Sequence, residues 1–210
     1  MITKILFVRH GQTDWNVKGR WQGHADIPLN ETGRAQAAAL ANRLADWPVT
    51  AVVTSDLQRC MQTAQPIGEA IGLQPIPDPI WRERDVGLFS GMTGEEAKAA
   101  YPEIWATANL GMVDPPEGER YADVRKRGYA AYEKIVADYP GEMVVVVSHG
   151  GLLHTLIAQL IEIPADKFGR ISKRGNTGLS IVEVKDDIPR LVLLNDTSHL
   201  ENLSVGVSGA

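Results

Sequence analysis

Two short apolar runs, Ile5-Leu6-Phe7-Val8 and Val144-Val145-Val146-Val147, show no polar–apolar alternation, and each leads into a histidine followed by glycine. A strand that is apolar on both faces has to be covered on both, as a parallel strand is inside an α/β sheet. Such strands bury their middles and offer only their carboxyl ends to ligands. Arg9-His10-Gly11 and Ser148-His149-Gly150 therefore fall where a site is built, and arginine beside imidazole describes a pocket for an anion.

Further strand signals lie at Ala51–Thr54, Leu179–Val184 and Leu191–Leu194. Amphipathic stripes separate them: Ala37, Leu40, Ala41 and Leu44; Leu57, Met61, Ala64, Ile67 and Ile71; and a broad Leu152–Ile161 stripe. Strand then helix, repeated, predicts a three-layer α/β/α fold with a mostly parallel sheet. Asp186-Asp187-Ile188-Pro189 reads as a hairpin turn, which makes the last strand an antiparallel edge.

The stretch from about 78 to 119 breaks this pattern. It is rich in Gly, Pro and acidic residues, with helical pieces expected over 94–101 and 103–110, and reads as a lid-like insertion. A helix is expected from Tyr121 to about Tyr139, with Ala122, Val124, Ala130, Ala131 and Ile135 facing the core. The 210 residues then form a single domain with a lid, and the tail from Asn202 is expected to be mobile.

A net charge of −5 leaves no basic footprint for nucleic acid or an anionic membrane, so an anionic ligand has to be drawn by a local patch. No apolar run approaches a membrane span, and the start is too short for a secretory signal. One cysteine, Cys60, excludes an internal disulfide and fits a reducing compartment; the expected location is cytoplasmic. The sequence leaves the oligomeric state open; an exposed edge strand or the Leu-rich helix near Leu160 could support a homodimer.

Passing a phosphoryl group to a side chain needs fixed donors for its oxygens, an unprotonated nucleophile, and an acid for the leaving oxygen. His10 qualifies as nucleophile if one ring nitrogen is held by a carbonyl, with Gly11 allowing a tight backbone turn beside it. Arg59 lies in the first turn of the helix after the second strand, behind Ser55 and Asp56 as cap candidates. His149 closes the strand at Met143–Ser148, and Gly150-Gly151 would add free amides at a helix start. His24, His154 and His199 read as structural or surface residues, Cys60 as core. Tyr101, Trp105 and Met112 read as either satellite packing or substrate contacts. No HExxH or CxxC spacing suggests a metal.

Arg9-His10-Gly11-Gln12-Thr13-Asp14-Trp15-Asn16 resembles the opening signature of the histidine phosphatase superfamily, in its phosphoglycerate-mutase-like branch. Ser55-Asp56-Leu57-Gln58-Arg59 with Thr63-Ala64, Trp81 to Gly87 with Gly91, and Val147 to Gly151 resemble its later blocks. The resemblance implies that His10 attacks phosphorus while Arg9, Arg59 and His149 hold the oxygens. It also implies that Glu83 serves as acid and then base, and that Asn16, Gln22, Gly23 and Gly150 touch phosphate or substrate. Asp85 is the other carboxylate in reach of that role, and the family's Glu-x-x-x-Gly spacing, met by Glu83 and Gly87, favours Glu83. No metal or organic cofactor is implied.

Three functions follow: hydrolysis of small phosphorylated metabolites, phosphoryl relocation as in a bisphosphoglycerate-dependent mutase, or a silent phosphate-binding module. A mutase has to retain a bisphosphorylated intermediate and needs cations for a second phosphate. Between Asp85 and Glu119 the only cation is Lys98, among seven carboxylates counted with both ends. Arg20, Arg84, Arg120, Lys173 and Arg174 are the remaining candidates to reach inward. Hydrolysis is the preferred reading.

Overall fold

The computed structural model describes residues 1–106, 113–164, 167, 170–171, 175–201 and 203. Six strands form one sheet in the order β3-β2-β4-β1-β5-β6. They are β1 (Thr3–Arg9), β2 (Ala51–Thr54), β3 (Ile76–Pro77), β4 (Met143–Ser148), β5 (Leu179–Lys185) and β6 (Ile188–Asp196). β1, β2, β3 and β4 run parallel, while β5 and β6 close the sheet antiparallel. This is the expected α/β sheet with its antiparallel edge. β6 begins at Ile188, earlier than the apolar pattern indicated. Asp186 and Asp187, both at positive φ, make the turn alone, so Pro189 becomes part of the edge strand.

Alternate residues of the central strands point to opposite faces. Ile5, Phe7, Val144 and Val146 face α6 (Tyr121–Asp138) and α7 (Gly150–Leu160); Leu6, Val8, Val145 and Val147 face α2 (Glu31–Leu44) and α3 (Gln58–Ile71). All eight are essentially inaccessible, each worth about 1.5–3 kcal/mol of burial. Two-sided covering explains why these runs carry no polar alternation. On α6 the buried residues are Val124, Gly128, Ala131, Tyr132 and Ile135, at helical spacing, whereas Ala122 and Ala130 are exposed. Those two small residues lie off the stripe that the 3.6-residue period sets.

The 78–119 region holds a 3₁₀ turn at Pro79–Trp81, another at Gly87–Phe89, α4 (Gly94–Ala100) and α5 (Pro102–Ala106). The helix expected over 103–110 begins at Pro102, and residues 107–112 lie outside the described residues. Phe89, Val86, Ala97 and Val113 form a small core of their own. Trp21, Tyr101 and Trp105 pack on it, with rings 5.4–6.5 Å from Phe89, so the two insertion aromatics serve packing. Met112 is outside the described residues, as are Lys173, Arg174 and the tail beyond 201 except Leu203. Among the described residues no helix is long and apolar enough to cross a membrane.

Candidate active site

Register brings the two histidines together. Thr54 stands opposite Val147 and Arg9 opposite Ser148, so the residues that follow β1, β2 and β4 meet at one sheet edge. Hydrogen bonding continues one step past the strands: His10 N donates to Ser148 O (2.9 Å) and Ser55 N to Val147 O (2.9 Å). The imidazoles of His10 and His149 stand edge to face, with centroids 5.3 Å apart.

His10 is almost fully buried, and its Nδ1 lies 2.7 Å from the carbonyl of Gly11. A carbonyl only accepts, so Nδ1 carries the proton and Nε2 the lone pair. Burial, then the charges of Arg59 and Arg9, push the His10 pKa well below the ordinary value of 6.5. Gly11 is required for proximity: a Cβ there would stand 2.6 Å from the carbonyl oxygen of Gly33. Its φ is not in the left-handed region, so the tight turn expected of Gly11 is replaced by close backbone contact with the start of α2.

Arg59, on α3, is wholly inaccessible. Its Nε donates to His149 Nδ1 (3.1 Å), one terminal nitrogen to Ala25 O (2.7 Å) and the other to Gly23 O (2.8 Å). Three of its five N–H groups are thereby fixed, leaving one on each terminal nitrogen for a ligand. Gly23 presents its carbonyl from positive φ, packed so closely on Val86 that a Cβ would stand 2.6 Å from its methyl. The cap of α3 differs from expectation. Leu57 is the N-cap and makes no side-chain bond, and the Gln58 amide is taken by Asp26 Oδ1 (2.7 Å). Asp56 instead pairs with Arg82, and Ser55 turns to His149.

His149 is also fully buried. Because Nδ1 accepts from Arg59, the proton of the neutral ring sits on Nε2, 2.9 Å from Ser55 Oγ and 3.3 Å from Cys60 Sγ. Burial, then Arg59, holds its pKa well below 6.5. Cys60 is buried as expected, and burial raises its thiol pKa.

Arg9 ends β1 beside the start of α7, where a Cβ on Gly150 would approach its Nε to 3.1 Å. Its pKa is lowered by burial, raised by Glu83 and lowered again by Arg59. Of the Gly150-Gly151 pair, the Gly151 amide is already taken. Gly151 N donates to Glu83 Oε2 (2.8 Å) and Leu152 N to Glu83 Oε1 (2.9 Å), so the α7 N-terminus seats the carboxylate. Any side chain at Gly151 would invade it, its Cβ only 2.6 Å from Glu83 Oε1. Asp85, the other candidate acid, bonds the Gly87 amide and lies 3.7 Å from His24, on the exposed lip.

Asn16 closes a capping box with Thr13 on α1 (Asp14–Val17), and Gln22 accepts from Thr13 Oγ1 (3.1 Å). Residue-type reasoning missed several supports. Asn176 donates to His10 O (3.0 Å) and Asn16 Oδ1 (3.3 Å), and Thr63 Oγ1 accepts from Gly11 N (2.9 Å). Arg127 reaches the loop carrying Glu83. None sits at a strand end, so no local signal pointed to them. His154 bonds Ile171 O and His199 bonds Thr177 Oγ1, both in structural roles.

The strand ends and the first turn of α3 thus gather two buried imidazoles, the buried Arg59 and the partly buried Arg9 at one sheet edge with a carboxylate seated beside them, a set of groups suited to phosphoryl transfer. The chain belongs to the histidine phosphatase superfamily (branch 1), whose model matches residues 5–197. It is 34% identical to phosphoglycerate mutase-like protein 4 of Arabidopsis thaliana over 98% of this chain and 90% of that one. It is 33% identical to a metal-independent phosphoserine phosphatase of the same plant, over 96% and 85%. The vanadate (VO3) complex of mycobacterial glucosyl-3-phosphoglycerate phosphatase Rv2419c superposes with a TM-score of 0.83 at 33% identity, covering 91% and 98% of the two chains.

Proposed function

We propose that this protein is a phosphomonoesterase that hydrolyses small phosphorylated metabolites through a phosphohistidine on His10. The observation that carries this reading is the Nδ1–Gly11 carbonyl bond, which fixes the tautomer and leaves the lone pair on Nε2, while burial and the charges of Arg59 and Arg9 keep the ring neutral. Nε2 attacks phosphorus, the P–O ester bond breaks, and Glu83 gives its proton to the departing alkoxide. Glu83 then takes a proton from water, the water oxygen bonds phosphorus, and the P–N bond breaks to restore the imidazole. Arg9 and the two remaining terminal N–H groups of Arg59 neutralise the oxygens, preorganised by burial. His149 fixes the Arg59 fork. Both ring nitrogens of His149 are already engaged, Nδ1 by Arg59 and Nε2 by Ser55.

The rim supports hydrolysis over phosphoryl relocation. Arg20 pairs with Glu96, Arg82 with Asp56, Arg84 with Asp114 and Arg120 with Asp123. Each rim arginine considered for a second phosphate within the described residues is thus already neutralised by a carboxylate. Relatives named for phosphoserine and glucosyl-3-phosphoglycerate point to an alkyl phosphate of a small metabolite as the substrate class. The lone buried Cys60 suits a cytoplasmic setting.

The test is incubation with 3-phosphoglycerate and a trace of its bisphosphate, alongside phosphoserine and other alkyl phosphates. Release of inorganic phosphate that outpaces formation of 2-phosphoglycerate is expected. Rapid isomerisation with little free phosphate overturns the reading in favour of a mutase.

A further inference from the structure

Residues 82–86, which carry Glu83, have no regular secondary structure, so their backbone groups need partners from elsewhere. Two of the carbonyls, Arg82 O and Glu83 O, are met by one side chain, with His24 Nε2 also 2.9 Å from Glu83 O. Arg127, on α6, donates through one terminal nitrogen to Ile80 O (2.7 Å) and Arg82 O (2.8 Å). The other terminal nitrogen donates to Glu83 O (3.3 Å) and Glu119 Oε2 (2.7 Å), and Nε donates to Glu119 Oε1 (2.9 Å). All five N–H groups are used, two on the acid loop, one on the 3₁₀ turn just before it and two on a single carboxylate.

Glu119 completes the frame. Its amide donates to Asp85 O (2.9 Å), and its carbonyl accepts from Arg84 Nε (2.8 Å). Both members of the pair are largely shielded, at 22% and 18% side-chain exposure, so this bidentate contact is better protected than a surface ion pair.

We propose that Arg127 and Glu119 are positioning residues for Glu83: they set the loop backbone from one side while the α7 amides seat the carboxylate from the other. The proposal rests on Glu83 being the acid-base group of the hydrolysis read above. Neither residue touches the reacting atoms. Their effect is on where the carboxylate stands relative to the leaving oxygen, and a displacement of about 1 Å is enough to cost on the order of 10²-fold.

A misplaced acid hurts a poor leaving group and spares a good one, whereas a general loss of structure hurts both. The test compares Arg127→Lys, Glu119→Gln and Glu83→Gln with the unaltered protein on an alkyl phosphate and on p-nitrophenyl phosphate, with thermal melting recorded for each. Lysine keeps the charge but cannot bond three carbonyls and a carboxylate at once. The expected result is a loss of kcat/KM, which reports the step in which the alcohol departs, of about 10-fold to 10²-fold on the alkyl ester for Arg127→Lys, a smaller one for Glu119→Gln, and under about 3-fold on the aryl ester. Glu83→Gln should show the same selectivity more strongly. Equal loss on both substrates by Arg127→Lys and Glu119→Gln, with Glu83→Gln still selective, overturns the positioning role alone. Absence of selectivity in Glu83→Gln overturns the acid assignment, and the positioning role with it. If Arg127→Lys fails to fold, Glu119→Gln decides alone, selective loss supporting the proposal and uniform or no loss overturning it.

Discussion

The basic half of the site and its acidic half are held by different means. Arg9, His10 and His149 stand at or one residue past the ends of parallel strands, and Arg59 in the first turn of the next helix, so sheet register fixes their spacing. Glu83 stands on a loop without secondary structure, placed by three backbone amides on its carboxylate, from Arg84, Gly151 and Leu152, and by Arg127 behind it. Moving the basic half would mean deforming a core of inaccessible valines and leucines, whereas the acidic half depends on a few hydrogen bonds. On the proposed mechanism, the groups for the phosphoryl oxygens are thus held by sheet register and the acid by hydrogen bonds to a loop.

Changes at the strand ends give the largest effects. His10→Ala should reduce turnover of every phosphoester to background while cooperative unfolding is retained, because the ring lies beyond the central core; assays on alkyl and aryl substrates with a melting curve check both. Substantial remaining turnover would count against the covalent route. Arg59→Ala should cost about 10²–10³ in kcat, the scale of losing one preorganised donor, and should do so equally for alkyl and aryl esters. That uniform loss contrasts with the leaving-group selectivity expected for the loop, and selectivity in Arg59→Ala would blur the division.

Acid should separate the two halves more gently. His10 and His149 are held neutral in the fold by burial and the adjacent arginines, so below about pH 6.5 the unfolded chain binds more protons than the folded one. Stability should fall as pH drops through that value and be flat above it, as far as these two groups determine it. Asp56, at the loop side, has its pKa lowered below 3.8 by the hydrogen bond from Arg82, so its contribution survives until far stronger acid. Denaturant unfolding from pH 7.5 to 4 checks the order. Because His10 stays unprotonated, kcat/KM should hold its plateau below pH 6.5. A decline centred on 6.5 would contradict the assignment of its environment.

The same division explains what could be read from the chain. Val144–Val147 and Ile5–Val8 announce doubly covered strands, and a histidine after each is legible as a site because strand ends are the one place such a sheet opens. Arg59 was legible through its distance from β2. Arg127 and Glu119 are not, since they act across 34 to 47 residues on backbone carbonyls, and an acceptor carbonyl leaves no mark on residue identity. Gly150-Gly151 after a strand suggests free amides at a helix start, yet the amides of Gly151 and of Leu152 after it are taken by Glu83. Gly11 similarly suggests a turn, whereas what the position needs is room beside Gly33. In both cases the residue type was right for the spot while its partner lay far away in sequence.

The most direct measurement is the fate of the phosphoryl group itself. Rapid quenching of the protein with an aryl phosphate, followed by peptide mass spectrometry under alkaline conditions, should find phosphate on the peptide bearing His10, stable in base and lost in acid. In Glu83→Gln the adduct should persist longer, since the water that releases it has lost its base. Turnover with no adduct on His10 at any quench time, or an adduct on another residue, would contradict the account.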